Sequence, residues 1–388
     1  MKMLFITSRN AYSTSGELRL IKNRAESLAD IYGVVTDFEV VRFAPHLKRK
    51  QEPIKCGLFH VYGHYVLNRP LVMRKIYRDI KELSKTTAYD AVVFSSGSVF
   101  SLFDKVKRLF PDAKFIADIH GASEELIEFP ASSVIRNCIQ KAFYRRSKRI
   151  DARYLPKFDG FFAVSDALIE YLKKEYALDD KHFFKIPCSI SDSSVDVDSI
   201  KTNRERYRKK YGLKEKDLLF IYSGGTSPWQ CIDKSVRLFG EIKKNNPECA
   251  DAKMLIMTGN IDKVRQYEAQ DIIIDSYPGN EVRNVLCAGD YAFLLRDDYV
   301  TNNVAYPNKF LEYVSCGLKI IATPYVHDVA DQIRKFNLGV IYDYSSPLNI
   351  DVAKDRADYM GDIDIRNELF RSVSFKSTLK PFIDYIGE

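Results

Sequence analysis

The chain contains 388 residues, of which 46% are hydrophobic and 29% are charged, and its formal net charge is +7. A chain of this length exceeds one ordinary hydrophobic core, so we expect two domains. The composition is that of a globular protein and has no low-complexity tract. The basic charge favours an anionic ligand, an acidic membrane surface or a nucleic acid as partner, without choosing among them.

The seven cysteines form no C-x-x-C pair and leave an odd one, which indicates a reduced, cytosolic protein. The first residues, MKMLFITSRN, are too short an apolar run for a signal peptide and are predicted to form a strand. No stretch approaches the roughly 18 apolar residues that a membrane span needs. We therefore expect a cytoplasmic protein, at most peripheral to a membrane.

Short apolar runs alternate with helical patterns along the whole chain. The predicted strands of the first half are 3–7, 34–43, 91–96, 114–120 and 160–165, separated by helices at 17–31, 71–85 and about 132–154. A second series of strands is predicted at 218–225, 253–260, 271–275, 290–295, 318–323 and 338–343. Each run is followed by Gly, Ser or Asn and then a helix, which indicates parallel strands buried on both faces.

Two such series predict an α/β fold of two doubly wound, Rossmann-like parallel-sheet domains. The break falls in the polar stretch 188–217, so we place an N-terminal domain at 1–195 and a C-terminal domain at 196–371. Residues 372–388 are predicted to form a helix that packs back on the first domain. Ligands of doubly wound sheets sit beyond the carboxyl ends of the strands, so we expect the site in the cleft where the two domains face each other.

The most informative stretch is NNVAYPNKFLEYVSCGLKIIAT, residues 302–323. Pro307 and Asn308 suit a helix entry, and Gly317 suits the C-terminal cap. Lys309 and Glu312 lie three residues apart on the first turn, where backbone N–H groups favour an anion. They form either an anion-binding site or a surface ion pair worth only a few tenths of a kcal/mol.

Four stretches of the second half resemble, in order, the donor-binding domain of GT-B glycosyltransferases. They are YSGGTSPWQCIDKSVRLFGEI, MLIMTGN, AGDYAFLLRDD and NNVAYPNKFLEYVSCGLKIIAT. The similarity covers about residues 213–345 and is greatest to glycosyltransferase family 4 and its relatives in bacterial surface-polysaccharide synthesis. It implies a nucleotide-sugar donor bound mainly to the C-terminal domain and an acceptor bound mainly to the N-terminal domain.

The resemblance also implies roles for individual residues. Glu312 would accept hydrogen bonds from the two ribose hydroxyls, and Lys309 with the helix N-terminus would hold the pyrophosphate as it leaves. Glycines that follow strands would let the backbone approach the donor closely. The donor-binding set is Glu312, Gly16, Gly224, Gly225, Gly259, Asn260, Asn303, Pro307 and Asn308.

Two departures from the family pattern bear on the phosphate site. The family's E-x7-E motif places an acid eight residues before Glu312, and this chain has Val304 there. At the positions after the glycine turn where the family usually has basic residues, this chain has Trp229 and Gln230. Positive charge must then come from Lys309, Arg296 or Lys234. Arg296 is the better second candidate because it follows a buried strand, although a solvated loop charge is the alternative.

In the N-terminal half, His120 ends a predicted strand where the family often has a His or Asp near the transferred sugar. Its neutral ring would bind a sugar hydroxyl or support developing positive charge. The alternative is a histidine of the core. Gly16 would let a loop approach donor or acceptor, or else serve only as a helix entry. The candidate catalytic residues are His120, Lys309 and Arg296.

No metal or other cofactor is expected, because the helix dipole and Lys309 would do the work of a cation. The Asp-x-Asp spellings at 196–198 and 362–364 follow no buried strand. Basic clusters at 46–50, 69–85 and 141–157 predict contact with anionic lipid, with a solvated helix face as the alternative. A nucleic-acid partner is not expected, because no binding motif accompanies the charge.

The sequence therefore predicts a glycosyltransferase that moves a sugar from a nucleotide donor to a hydroxyl of a growing or lipid-linked glycan. The resemblance implies retention of anomeric configuration and no metal. A GT-B epimerase acting on the sugar nucleotide is one alternative, although we find no convincing set of carboxylates for it. A non-catalytic sugar-nucleotide-binding scaffold is the other.

Overall fold

The computed structural model describes residues 1–10, 16–41, 54–62, 72–130, 133–188, 196–355 and 363–388. The chain divides into two compact units. Unit 1 comprises Met1–Ser191 together with Val373–Glu388, and unit 2 comprises Asp192–Ser372. The boundaries predicted from the sequence, after residues 195 and 371, lie within four residues of these.

Unit 1 contains an eight-stranded sheet in the order β3-β4-β2-β1-β5-β6-β7-β8. All neighbouring strands are parallel except β3 and β4, which form an antiparallel pair. The strands are β1 (Lys2–Asn10), β2 (Val35–Val41), β3 (Ile54–Cys56), β4 (Phe59–Tyr62), β5 (Ala91–Ser95), β6 (Lys114–Ile119), β7 (Gly160–Ala163) and β8 (His182–Lys185).

Five of these strands were predicted from apolar runs, and β3, β4 and β8 were not. The three missed strands have only three or four residues each. Their sequences, IKC, FHVY and HFFK, are interrupted by polar residues and form no continuous apolar run, so only pairing with their neighbours defines them.

The helices of unit 1 cover the sheet and present the segments that follow its strands. They are α1 (Gly16–Tyr32), α2 (Val72–Leu83), α3 (Phe103–Lys107), α4 (Glu125–Glu128), α5 (Val134–Tyr154) and α6 (Asp166–Tyr176). Ser165 caps α6, since its hydroxyl accepts a hydrogen bond from the Leu168 N–H at 3.0 Å. Ser165 is therefore the N-cap residue of α6.

Unit 2 contains a six-stranded, all-parallel sheet in the order β11-β10-β9-β12-β13-β14. In order of appearance this is 3-2-1-4-5-6, the strand order of dinucleotide-binding Rossmann sheets. The strands are β9 (Leu219–Ser223), β10 (Lys253–Met257), β11 (Ile272–Asp275), β12 (Tyr291–Leu294), β13 (Lys319–Ala322) and β14 (Gly339–Ile341). All six lie within segments predicted from the sequence.

The helices of unit 2 begin within the polar stretch that separates the two series of strands. They are α7 (Val197–Lys210), α8 (Ile232–Asn245), α9 (Ile261–Val264), α10 (Gly279–Leu286), α11 (Val300–Asn303), α12 (Asn308–Ser315), α13 (His327–Phe336) and α14 (Ile363–Val373). Asp196 caps α7 by accepting from the Ser199 N–H at 3.0 Å. The first Asp-x-Asp spelling is thus a helix cap, and Asp362 of the second lies outside the described residues.

The last two helices, α15 (Phe375–Thr378) and α16 (Lys380–Gly387), return to unit 1. Phe382 of α16 is fully buried, with ring centroids 4.6 Å from Phe162 and 5.4 Å from Phe184. The end of the chain therefore closes one face of the first sheet. In the part of the chain that the structure describes, no helix combines the length and apolarity needed to cross a bilayer.

Candidate functional site

The first turn of α12 carries the two residues singled out in the sequence. The Nζ of Lys309 lies 2.6 Å from Oε2 of Glu312, and the two side chains are 28% and 18% exposed. Pro307 precedes the helix in an extended conformation, and Gly317 follows it with a φ of 82°, which favours glycine. A cation and a carboxylate therefore stand together, partly open to solvent, at the entrance of a short helix.

Two buried side chains fix the position of α12. The hydroxyl of Tyr313 accepts from the Ser223 N–H at 3.1 Å and donates to the Ser223 carbonyl at 3.2 Å, which joins α12 to the end of β9. At the other end, the 1%-exposed Arg366 donates to the carbonyls of Val314 at 2.8 Å and Gly317 at 3.2 Å. Neither anchor follows from a local sequence pattern.

The glycine turn after β9 is packed against Gln230. A Cβ on Gly224 would lie 2.7 Å from Oε1 of Gln230, so this position has no room for a side chain unless Gln230 moves. The Tyr222 hydroxyl donates to the Gly225 carbonyl at 2.6 Å. By contrast, a Cβ on Gly259 would meet nothing within 4 Å. The close approach expected at Gly224 is thus to Gln230 within the protein itself.

Arg296 follows β12, the strand that pairs with β9 across the reversal of strand order. Its Nη1 donates to the carbonyls of Leu295 at 2.7 Å and Gln230 at 3.4 Å. Burial lowers the pKa of Arg296 below its ordinary value. Lys234, the third predicted source of charge, is paired with Asp297. Arg296 therefore contacts Gln230, whose side chain packs on the glycine turn, and is not a fully solvated loop charge.

The remaining predicted donor residues occupy loops and helix starts of unit 2. Asn260 is exposed and precedes α9, with its N–H donating to the Thr258 hydroxyl at 3.2 Å. Asn303 ends α11 and donates to Asp298 at 2.9 Å. Asn308 is the first residue of α12. Val304, where the family pattern has an acid, is only 3% exposed and belongs to the core.

Unit 1 contains a pocket of about 360 Å³ at the carboxyl ends of β1, β5 and β6. This is the reversal point of strand order in the first sheet, where ligands of such sheets bind. Charged residues from five segments line it, namely Arg9, Glu17, Asp118, His120, Glu125 and Asp151. Gly16 begins α1 immediately before Glu17, and residues 11–15 of the predicted glycine loop lie outside the described residues.

His120 lies between two carboxylates at the wall of this pocket. Its Nε2 is 3.0 Å from Oδ1 of Asp118, and its Nδ1 is 3.6 Å from Oε1 of Glu17. Burial favours the neutral imidazole, but the Asp118 and Glu17 carboxylates outweigh it and raise the pKa of His120 above 6.5. His120 is a pocket residue that keeps its proton to a higher pH than a free imidazole does.

Asp118 is anchored from behind by Arg24. The Arg24 guanidinium, which is fully buried, pairs with Asp118 and also donates to the Ile186 carbonyl. Ser95 donates to the other oxygen of Asp118 at 2.8 Å. Burial alone would raise the pKa of Asp118, but the charges of Arg24 and His120 lower it to about 2. Asp118 thus remains ionised and orients His120.

A further carboxylate, Asp151 of α5, lines the far end of the pocket and is only 8% exposed. Its Oδ2 accepts from Ser123 at 3.2 Å and from Ser147 at 3.5 Å. Burial raises the pKa of Asp151 to about 6. Asp151 is not among the residues predicted from the sequence, although it is the one acid beside seven Lys and Arg in residues 141–157.

The pocket also contains a backbone conformation that side chains rarely adopt. Ser96, which follows β5, has a φ of 93° and a ψ of 137°, a region populated essentially by glycine. The next residue, Gly97, lies so close to Asp151 that a Cβ there would be 3.3 Å from Oδ1. Strain of this kind clusters at binding and catalytic sites. It marks the end of β5 as part of the candidate site.

Comparison with known proteins gives one related sequence and many related structures. No model of a known protein family matches the chain. Over 178 residues the chain is 26% identical to the lipopolysaccharide glucosyltransferase WaaG of Escherichia coli K12. The match covers 43% of this chain and 45% of WaaG, so it spans less than half of that relative.

The likeness to solved structures extends over the whole chain. The crystal structure of WaaG superposes with a TM-score of 0.65 at 14% identity, covering 100% of this chain and 99% of that one. Sucrose-phosphate synthase from Thermosynechococcus elongatus gives a TM-score of 0.74 at 13% identity, with the same coverage. HepE from Anabaena, solved with UDP-glucose, gives 0.61 at 10% identity and covers 100% of this chain and 98% of its own. These likenesses show the fold.

Proposed function

We propose that this chain, which has the two-domain α/β fold of GT-B glycosyltransferases, transfers a sugar from a nucleotide-sugar donor to a hydroxyl of a glycan. The observation that carries the proposal is the Lys309–Glu312 pair on the first turn of α12. Tyr313 joins this helix to the carboxyl end of β9 in a sheet of dinucleotide-binding order. The partial sequence similarity to a glucosyltransferase supports the same class.

Donor binding is assigned to unit 2. On binding, Glu312 exchanges Lys309 for the ribose hydroxyls, each of which donates to a carboxylate oxygen. Lys309 is then free to pair with the pyrophosphate, toward which the N-terminal N–H groups of α12 contribute partial positive charge. Arg296, beside the glycine turn, is the second cation. Because HepE was solved with UDP-glucose, UDP-sugars are the first donors to test.

The chemical step requires the leaving nucleoside diphosphate to gain negative charge. Lys309 and the α12 N-terminus stabilise that charge most in the transition state, which is where stabilisation accelerates transfer. This is also why we propose transfer without a metal. The family resemblance supports retention of anomeric configuration, with Glu312 acting as a ribose ligand and not as the attacking group.

Acceptor binding is assigned to the pocket of unit 1. His120, oriented by Asp118, donates a hydrogen bond to the sugar from a ring that neighbouring carboxylates keep protonated to higher pH than usual. The pocket volume of about 360 Å³ is at the lower end of the range for small-molecule sites. It is of a size for one sugar ring at the end of a longer glycan.

We also propose that α5 rests on an anionic membrane surface. The first half of the helix exposes Val134 (79%), Ile135 (73%), Ile139 (49%) and Phe143 (56%). The second half exposes Arg145, Arg146, Arg149 and Arg153, and the i,i+3 and i,i+4 spacing of Arg146, Arg149 and Arg153 places these three on one face. An apolar end for insertion beside cations for headgroup phosphates supports contact with an anionic membrane. A lipid-linked acceptor would be reached there.

The proposed function is tested by a thermal-shift panel of UDP, GDP, dTDP and CMP and their sugars, with EDTA and with Mg²⁺. A ligand at about 100 times its Kd adds roughly 2.7 kcal/mol to the free energy of unfolding, which is readily seen. We expect one base to stabilise the chain in EDTA and its sugar nucleotide to be hydrolysed or transferred. Stabilisation without any turnover would favour the scaffold, and no stabilisation by any nucleotide contradicts donor binding.

A further inference from the structure

The residues that line the unit 1 pocket include more carboxylates than cations. Its cations are already engaged: Arg9 pairs with Glu17 at 2.5 Å, and His120 lies between Glu17 and Asp118. The buried Arg24 beneath the pocket pairs with Asp118. Two lining carboxylates remain, Glu125 and Asp151, for which the described residues provide no ion pair.

Asp151 presents one oxygen that the protein does not use. Its Oδ2 accepts from Ser123 and Ser147, whereas no described residue donates to Oδ1. The side chain is more than nine-tenths buried and reaches the pocket past Gly97, where the absence of a Cβ leaves room for it. Because no described residue donates to Oδ1, this oxygen can accept a hydrogen bond from a ligand or water in the pocket.

The lysine nearest to Asp151 along α5 forms its ion pairs with other carboxylates. Lys148, one turn before Asp151 on α5, pairs with Glu124 at 3.1 Å and Glu175 at 2.5 Å, and its Nζ donates to the Tyr171 hydroxyl at 3.0 Å. It therefore ties α5 to α6, and its charge acts on Asp151 without forming an ion pair with it. Burial raises the pKa of Glu125, and the nearby Glu17 carboxylate raises it further, as expected for carboxylates without a matching charge.

We propose that this pocket selects a neutral, polyhydroxylated sugar ring and rejects sugars that carry phosphate, sulfate or carboxylate. Sugar hydroxyls supply the donors that Asp151 and Glu125 lack, whereas an anionic group would meet two carboxylates and an Arg9 that is already paired. The inference rests on the proposed function only in identifying this sugar as the acceptor residue. Binding of the sugar itself is independent of donor binding in unit 2.

The test compares methyl α-glucoside and methyl β-galactoside with their 6-sulfates, because the charge of a sulfate ester does not change between pH 5 and pH 8. Binding to the full chain is measured by ligand-observed NMR at pH 7.5. We expect the neutral glycosides to bind at least about tenfold more tightly than the sulfates, a difference of about 1.4 kcal/mol. The matched variants are Asp151→Asn with Glu125→Gln, and Glu170→Gln as control, since Glu170 is exposed on α6 outside the pocket.

The double variant should lose the discrimination, by admitting sulfated sugars or by weakening neutral ones, while Glu170→Gln should keep it. Lowering the pH to 5 should reduce the difference in affinity between neutral and sulfated sugars in the wild type. The affinities of the double variant should not change with pH. Equal binding of neutral and sulfated sugars by the wild type overturns the proposal, as does undiminished discrimination in the double variant or no binding of any sugar. Sugar discrimination in a chain that binds no nucleotide would retain this inference and remove the proposed transferase activity.

Discussion

Lys309 and Glu312 are each other's partner at 2.6 Å on the first turn of α12. An ion pair with this spacing stabilises a helix by only a few tenths of a kcal/mol. Both side chains are therefore available to a ligand at small cost, since each exchanges one charged partner for another. A binding role and a structural role of this pair can therefore be told apart by mutation. A binding role predicts a large loss of ligand affinity, whereas a structural role predicts only a small loss of stability.

Replacing Glu312 with Gln should weaken nucleoside diphosphate binding while leaving stability nearly unchanged. Hydrogen bonds to a charged group contribute about 1.5 to 3 kcal/mol, so we expect a roughly 10- to 100-fold higher Kd. Titration calorimetry measures the Kd, and thermal unfolding measures the stability. The matched control is Glu82→Gln, because Glu82 pairs with Lys85 at 2.7 Å with the same i,i+3 spacing but belongs to unit 1. Unaltered affinity in Glu312→Gln would remove the ribose role.

Replacing Lys309 with Met should lower kcat at least as much as it lowers donor affinity. Charge on the leaving diphosphate grows in the transition state, and loss of one stabilising donor typically costs about 10²- to 10³-fold in kcat. Steady-state kinetics with the donor found by the thermal-shift panel separate kcat from KM. Lys309→Arg keeps the charge and should restore part of the rate. A rise in KM with kcat unchanged would limit Lys309 to ground-state binding.

Replacing His120 with Gln should lower kcat and leave nucleotide affinity unchanged, because the nucleotide binds unit 2. The raised pKa of His120 means that its protonated form stabilises the fold below pH 6.5 and that this contribution is lost as pH rises through the folded pKa. The substitution should thus cost more stability at pH 6 than at pH 9. His60→Gln is the control for activity, since His60 lies 2.9 Å from Asp37 outside the pocket. An unchanged rate in His120→Gln would make it a core histidine.

Replacing Asp151 with Asn should stabilise the protein, and more so at high pH. Its pKa rises from 3.8 to about 6, so the native state binds the proton more tightly, and stability falls as pH increases through that interval. A shift of that size corresponds to roughly 2 to 3 kcal/mol above pH 6. Urea unfolding followed by circular dichroism at pH 5 and pH 8 checks the gain. The exposed Asp179→Asn is the control, and an equal effect at both pH values would show that ionisation of Asp151 is not the cause.

Replacing Ile135 and Ile139 with Ser should reduce sedimentation with vesicles that contain anionic lipid. Both side chains are exposed, so the folded state loses little while the membrane-bound state loses apolar area. Arg145→Glu with Arg146→Glu should have a similar effect through charge. Comparing vesicles of phosphatidylcholine alone with vesicles that also contain phosphatidylglycerol separates the apolar contribution from the electrostatic one. Lys201→Glu with Lys209→Glu on α7 is the charge control. An equal loss of vesicle binding in that variant would show that only the net charge of the protein matters.

The donor half of the site could be predicted from the sequence because its residues are close together in the chain. Lys309 and Glu312 share one helical turn, and the buried strands of unit 2 are continuous apolar runs that local patterns reveal. What local patterns do not reveal are the partners that hold α12. Ser223 and Tyr313 are 90 residues apart, and only the sheet brings them together.

Less of the unit 1 pocket than of the donor site could be predicted from the sequence, because tertiary structure brings its residues together. The sequence singles out His120, but the direction of its pKa shift depends on Glu17 and Asp118, and burial of Arg24 against Asp118 joins positions 94 residues apart. Asp151 looked like one acid in a solvated basic helix, and only packing of α5 against Gly97 and Ser123 buries it.

The sequence by itself thus determined the two series of parallel strands, the break between them and the helical turn that carries Lys309 and Glu312. These features follow from short-range periodicity and helix geometry, which neighbouring residues specify. Tertiary structure alone decided which carboxylates are buried and which of them keep a partner. Desolvation and Coulomb interactions depend on distance in space, and the residues that set them lie far apart along the chain.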